Sequence, residues 1–176
     1  IVFFYKLSCD GMKIISIVGA RPNFMKVAPL HRAFKQKQSI QSKIIHTGQH
    51  FDRAMSTIFF EELELPEPDY FLGVGSGTHS IITAKIMTAI EPILQSELPD
   101  LVIVVGDVTS TLACALVANR NGIPVAHVEA GLRSFDRSMP EEINRLLTDQ
   151  ISDLLFTTER LATDHLMKEN ISPDKI

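Results

Sequence analysis

Lys13–Val18, Leu101–Val105 and Pro124–Val128 are short runs of apolar, largely β-branched residues, each followed by a stretch with helical spacing. Such runs lack the polar alternation of a half-exposed strand. They must therefore be covered on both faces, which strands alternating with helices achieve in a parallel sheet. The same reading extends along the chain. Phe24, Val27, Leu30, His31 and Phe34 lie on one face of an expected helix over 24–37, and Ser42–His46 reads as a second strand. A helix over 51–63, carrying Met55, Ile58, Phe59 and Leu63, is stopped by Pro66 and Pro68. A short strand is expected at Tyr70–Leu72, then a long helix over 80–95, and a helix over 109–121 closed by Gly122. Pro140 opens a helix over 140–150, followed by a strand at Asp153–Phe156 and a helix over 159–168. With no internal repeat or low-complexity linker, the expected fold is one α/β domain with a doubly wound, parallel, Rossmann-like sheet.

A chain of 176 residues suffices for one domain with a sizeable core. At 45% hydrophobic and 22% charged residues it has a globular composition. Its net charge of −4, without a basic run or basic helix face, points away from nucleic acid and anionic membrane. Cys9 and Cys114 form neither a disulfide framework nor a metal cluster, and Cys114 lies in an apolar run, as a buried thiol would. A reduced, cytoplasmic setting is expected. Ile1–Tyr5 is too short to span a bilayer and lacks the features of a signal peptide. Met12 resembles an ordinary protein start, so residues 1–11 are read as an extension and 12–176 as the domain.

Ligands of doubly wound sheets bind beyond the carboxyl ends of the strands, where strand order reverses. With the order 3-2-1-4-5-6, that point lies beside Gly19-Ala20-Arg21-Pro22-Asn23 and Gly106-Asp107-Val108-Thr109. The neighbouring strand end delivers Glu129-Ala130-Gly131-Leu132-Arg133. Arg21, Asp107, Glu129 and Arg133 are thus expected on one rim. Each has a plainer alternative: Asp107 caps the next helix, Glu129 pairs structurally with Arg133 or Arg137, and Arg21 braces the turn before Pro22. Three strand ends that each join a charge to a glycine favour a site, because glycine lets a ligand approach the backbone.

Other features carry less. Gly73-Val74-Gly75-Ser76-Gly77-Thr78-His79 is neither a dinucleotide fingerprint nor a Walker loop. It is either a turn or a set of amides at a helix start able to hold an oxyanion. His46 and His50 do not share a helix face, so no metal site is expected. His127 inside a strand reads as a satisfied core histidine, His31 and His165 as packing or surface residues. Most of Met25, Met55, Met87, Met139 and Met167 read as core filler.

Several motifs occur together: Gly19-Ala20-Arg21-Pro22-Asn23-Phe24-Met25-Lys26-Val27-Ala28-Pro29-Leu30, Thr47-Gly48-Gln49-His50, Gly106-Asp107-Val108-Thr109-Ser110-Thr111, His127-Val128-Glu129-Ala130-Gly131-Leu132-Arg133-Ser134 and Pro140-Glu141-Glu142-Ile143-Asn144-Arg145. In this order they resemble the first half of the non-hydrolysing UDP-N-acetylglucosamine 2-epimerases of bacteria and archaea. The resemblance implies a glycosyltransferase-B-like fold with its active site between two Rossmann-like halves, this chain being the N-terminal half. It implies interconversion of UDP-N-acetylglucosamine and UDP-N-acetylmannosamine without a cofactor, by elimination of UDP to 2-acetamidoglucal and re-addition. The family's catalytic acids fall on Asp107, Glu129 and Glu141. Arg21, Lys26, Arg133 and Arg145 are the expected substrate-binding residues, and Gln49 and His50 match a regulatory substrate site of some bacterial members. Asn23 stands where many members have Glu. The second half carries most UDP-binding groups and a further catalytic histidine, so residues 12–176 alone are expected to lack useful activity. A homodimer is expected. The alternatives are half of a hydrolysing epimerase or another glycosyltransferase-B-like enzyme, or a non-catalytic nucleotide-sugar-binding module.

Overall fold

The computed structural model describes residues 11–48 and 67–176. The expected helix over 51–63 and the positions Gln49 and His50 lie outside those residues. The elements run β1 (Met12–Val18), α1 (Arg21–Lys35), β2 (Ile40–His46), β3 (Tyr70–Phe71), α2 (His79–Glu97), β4 (Leu101–Val105), α3 (Thr109–Arg120), β5 (Val125–Ala130), α4 (Pro140–Ile151), β6 (Leu154–Thr157) and α5 (Arg160–Lys168). One 3-10 turn follows at Pro173–Lys175. The six strands form a single sheet in the order β3-β2-β1-β4-β5-β6, and every neighbouring pair is parallel. This is the doubly wound order expected from the sequence, and it puts the reversal between β1 and β4.

Two cores explain why the strands are apolar throughout. Ile15, Ile17, Ile45, Val102 and Val104 face α2 and α3, meeting Ile82, Ile86, Ile90 and Leu94 at four-residue helical spacing. Ile14, Val18, Ile44, Ile103 and Val105 face the other way, onto Phe24, Val27 and Ala28 of α1. Each fully buried Ile or Leu contributes roughly 1.5–3 kcal/mol through removal of apolar surface from water. On α3, Ala113, Cys114, Ala115 and Ala118 are all buried, so this helix approaches its neighbours through small side chains. Ala130, Leu155, Leu166 and Ile171 make a third, smaller core beneath α5.

The methionines correct the sequence reading. Met25, Met139 and Met167 are exposed, Met25 by 56%, and of the described members of that set only Met87 packs against the core.

At the amino ends of the strands, an aspartate sits just before β3, β4 and β6. Asp69 accepts the N–H of Ile44 (2.8 Å), Asp100 that of Lys13 (2.9 Å) and Asp153 that of Val125 (3.0 Å). Each of these carboxylates satisfies a backbone donor of the adjacent strand. Beside them Glu97, at the end of α2, accepts from Lys13 Nζ (3.1 Å), from Lys43 Nζ (2.8 and 2.9 Å) and from the Tyr70 hydroxyl.

Candidate active site

The carboxyl ends of β1, β4 and β5 form the other rim. β4 ends at Val105, and Gly106 then turns with a φ of +70°, a conformation that favours glycine. The neighbours of Gly106 stand at contact distance. A Cβ there would lie 3.4 Å from Glu129 Oε2 and 3.5 Å from Asn23 Nδ2, which places the β4, β5 and α1 ends against one another. Asp107 follows. It does not cap α3: the residue preceding that helix is Val108, and no side chain caps it. Instead α4 holds Asp107 from the side. Arg145 Nη2 pairs with the Asp107 carboxylate, and Asn144 Nδ2 donates to its carbonyl (2.8 Å).

Glu129 lies at a register shift in the β5–β6 pairing, between Val128 and Ala130, and has a φ of +76°. That is a left-handed conformation for a residue with a Cβ, of the kind that persists only where the surroundings impose it. Its carboxylate pairs with Lys26 of α1, not with Arg133 or Arg137, and the two side chains are 22% and 34% exposed. Lys26 stands near the start of α1, where Arg21 is the first residue.

Glu141 and Glu142 divide sharply. Glu142, 2% exposed, accepts from the Ser134 amide and hydroxyl (both 2.9 Å), the Phe135 amide (3.1 Å) and Arg145 Nη1 (3.1 Å). Burial pushes its carboxyl up, but the hydrogen bonds from Ser134, Phe135 and Arg145 outweigh burial and hold it below the usual carboxylate range. Glu142 thus fastens the loop before α4. Glu141 is half-buried, and its carboxylate takes part in no hydrogen bond or ion pair among the described residues. Being four residues before Arg145 on α4, it shares the helix face that meets Asp107.

Arg133 departs from its expected place. Its side chain is 1% exposed. Nε and Nη2 donate to Glu169 (2.8 and 2.6 Å), Nη2 also meets Asp149 (2.7 Å), and Nη1 donates to the Leu132 carbonyl (2.7 Å). Burial disfavours its charge, but the two carboxylates outweigh that effect and keep it protonated. With its donors committed inside the domain, Arg133 is not presented to the rim. A bulge re-aims the residues around it, and the one at Glu129 stands between the strand and Arg133.

Asn23 was legible only as a departure from the family pattern, yet it organises the β1–α1 turn. Its Oδ1 accepts from the Gly19 and Ala20 amides (3.2 and 2.9 Å), and its Nδ2 donates to the Val105 carbonyl (3.1 Å). It is a neutral clamp between the ends of β1 and β4. Gly19 is tightly enclosed too, since a Cβ there would come within 2.0 Å of Ser110 Oγ. Thr78 caps α2 by accepting from Ile81 N (3.4 Å) at the end of the glycine-rich loop. His46 accepts from the Gly48 amide (2.7 Å) and lies between the Phe24 and Phe71 rings. Burial lowers its pKa to about 4, so it is a neutral packing residue. Among the described residues no group of three His, Cys, Asp or Glu side chains could hold a metal ion, and no helix is long and apolar enough to cross a membrane.

The sequence profile of a family described as UDP-N-acetylglucosamine 2-epimerase matches residues 32–176. The chain belongs to this family. It is 51% identical over 158 residues, 90% of its length, to the UDP-2,3-diacetamido-2,3-dideoxy-D-glucuronate 2-epimerase of Pseudomonas aeruginosa. The crystal structure of the Methanocaldococcus jannaschii UDP-GlcNAc 2-epimerase in complex with UDP-GlcNAc and UDP superposes with a TM-score of 0.91 at 52% identity, covering 94% of this chain and 45% of that one. A lipopolysaccharide outer core galactosyltransferase, at 16% identity and a TM-score of 0.65, shares the fold alone, in keeping with a glycosyltransferase-B-like half. The chain spans 45% of the length of the Pseudomonas relative.

Proposed function

We propose that the protein containing these residues interconverts UDP-N-acetylglucosamine and UDP-N-acetylmannosamine, and that Asp107, Glu129 and Glu141 are its acidic catalytic residues. One observation carries the reading: on adjoining strand ends, two carboxylates are each paired with one partly exposed cation, and a third, on the helix that carries Arg145, has no side-chain partner among the described residues. Both pairs are partly open to solvent, so an arriving diphosphate can compete for Lys26 and for the Nη2 edge of Arg145, whose Nη1 stays on Glu142. Releasing those cations frees the acids for proton transfer. Arg21, the first residue of α1, is a further candidate for binding the diphosphate.

In the forward direction a carboxylate takes the C2 proton, the electron pair forms the C1–C2 double bond, and the C1–O bond breaks with UDP leaving as the anion. Re-addition of UDP to C1, with a proton delivered to the opposite face of C2, completes the inversion. A positioned acid or base contributes typically 10²–10⁴-fold to such a step. Lys26 and Arg145 offset the charge that develops on the departing diphosphate. The enzyme acts as a cytoplasmic homodimer without a cofactor, supplying precursor for cell-surface polysaccharide. The 176 residues alone are expected to be inactive, because the family's relatives complete the cleft with a second half.

A second reading concerns the sugar. Identity to the relative named for a diacetamido glucuronate, 51%, matches that to the enzyme crystallised with UDP-GlcNAc, 52%. Inversion at C2 beside an acetamido group is common to both. The test is to incubate the full-length protein in D2O with each UDP sugar. Interconversion with deuterium at C2 supports epimerisation and identifies the sugar. Release of free N-acetylmannosamine would replace it with a hydrolysing enzyme, and calorimetric binding without turnover, insensitive to Asp107→Asn, with a non-catalytic module.

A further inference from the structure

Behind the rim lies a buried polar chain that the proposed chemistry does not use. His127, inside β5, and Asp149, on α4, are both fully buried, with His127 Nδ1 2.6 Å from Asp149 Oδ1. His127 Nε2 is 2.8 Å from the carbonyl of Gly106. A backbone carbonyl can only accept, so Nε2 donates to it. Asp149 Oδ2 accepts from the Gly131 amide (3.2 Å) and pairs with Arg133 Nη2 (2.7 Å), while its Oδ1 is bonded to His127 Nδ1. The far edge of Arg133 rests on Glu169, and His165 Nδ1 lies 3.0 Å from the Gly131 carbonyl.

The backbone groups that this chain satisfies are unusual. Gly106 and Gly131 have φ of +70° and +80°, and Glu129, two residues before Gly131, has +76°. Segments in such conformations cannot continue a regular ladder, and their buried polar groups need other partners. One carboxylate supplies both: through His127 it holds Gly106, the residue before Asp107, and directly it holds Gly131, two residues after Glu129.

We propose that Asp149 is a positioning residue that sets the Asp107 and Glu129 loops in fixed relation, acting through His127 on one and directly on the other. This rests on the catalytic reading of those two acids. In the full-length protein, Asp149→Asn keeps the shape of the side chain and removes the charge between His127 and Arg133. Expected is a fall in kcat of tenfold or more with KM within twofold of wild type. Ser152→Ala, which removes another buried hydrogen bond at the end of α4 (Ser152 Oγ to the Thr148 carbonyl, 2.7 Å), serves as the stability control. At a temperature where both variants are folded it should leave kcat unchanged. An unchanged kcat in Asp149→Asn, or an equal fall in Ser152→Ala, overturns the proposal. If Asp149→Asn does not fold, His127→Gln takes its place under the same criteria. Should the wild-type protein epimerise no UDP sugar, the functional reading fails separately, and amide hydrogen exchange decides the coupling. Faster exchange confined to residues 106–108 and 129–131 in the variant supports it, and uniform acceleration overturns it.

Discussion

Acids line both ends of this sheet, and the two ends treat them in opposite ways. At the amino ends Asp69, Asp100 and Asp153 each accept a backbone N–H from the neighbouring strand, and Glu97 is held by two lysines and a tyrosine. Those partners belong to the fold and cannot leave without loosening it. At the carboxyl ends Asp107 and Glu129 face one long, partly exposed cation each, and Glu141 has no ion pair among the described residues. An anion can compete for Lys26 and for the one edge of Arg145 that faces Asp107, while the other edge of Arg145 keeps its bond to Glu142. The same side chain is thus a strand tie at one end and an available reagent at the other, and what differs is whether it is held by backbone or by several side chains at once, or by one long cation.

The largest effect should come from Asp107→Asn in the full-length protein: a loss of about 10²–10⁴-fold in kcat, with the urea midpoint little moved because the asparagine oxygen can still accept from Arg145, whose other nitrogen stays on Glu142. Equal losses of activity and stability would erase the distinction between the ends. Next, Arg133→Met leaves Asp149 and Glu169 without their shared cation. Breaking a buried pair typically costs about 3–5 kcal/mol, read as a drop in unfolding free energy. A raised KM with unchanged stability would instead return Arg133 to the substrate.

The third effect depends on pH. Hydrogen bonds from Lys43 and Tyr70, with Lys13 also contributing, lower the Glu97 pKa from 4.5 to about 2. Its stabilising contribution is therefore complete above about pH 5 and is lost as pH falls through 4.5 toward 2. Glu97→Gln should lower stability at pH 7 and flatten the acid limb of the stability profile. An unchanged limb would mean that the lysine pairs contribute nothing. The smallest effect is expected for Asp153→Asn, the substitution first applied at the opposite end. The amide oxygen can still accept from Val125, so stability should change by less than about 1 kcal/mol and kcat by less than twofold.

The sheet was legible because its strands are apolar on both faces, helices α1 to α3 because each buries one stripe or a set of small residues, and α4 because Pro140 marks its first turn. The rim was legible as far as the strand ends themselves, at Asp107 and Glu129. It failed one turn further on. Reading Arg133 as a rim residue assumed that the chain leaves β5 in its own direction, but the register shift at Val128/Ala130 turns it into the domain. Asp149 carries no local signal, since its partners Gly131 and His127 lie 18 and 22 residues earlier. Asn23 was visible as a motif position, but its contact with Val105, 82 residues away, needed the fold. Met25, Met139 and Met167 were misjudged because a long apolar side chain on a helix says little about which face it occupies.

Glu129 has one more consequence, since its left-handed backbone is a place where folding and reactivity pull apart. Glycine would adopt that conformation without hindrance, so selection for stability alone has no reason to keep a branch-bearing carboxylate there. A library of this chain screened only for thermal tolerance should therefore drift toward glycine or asparagine at 129, retaining the sheet while discarding the acid. The position records a demand that comes from outside the fold.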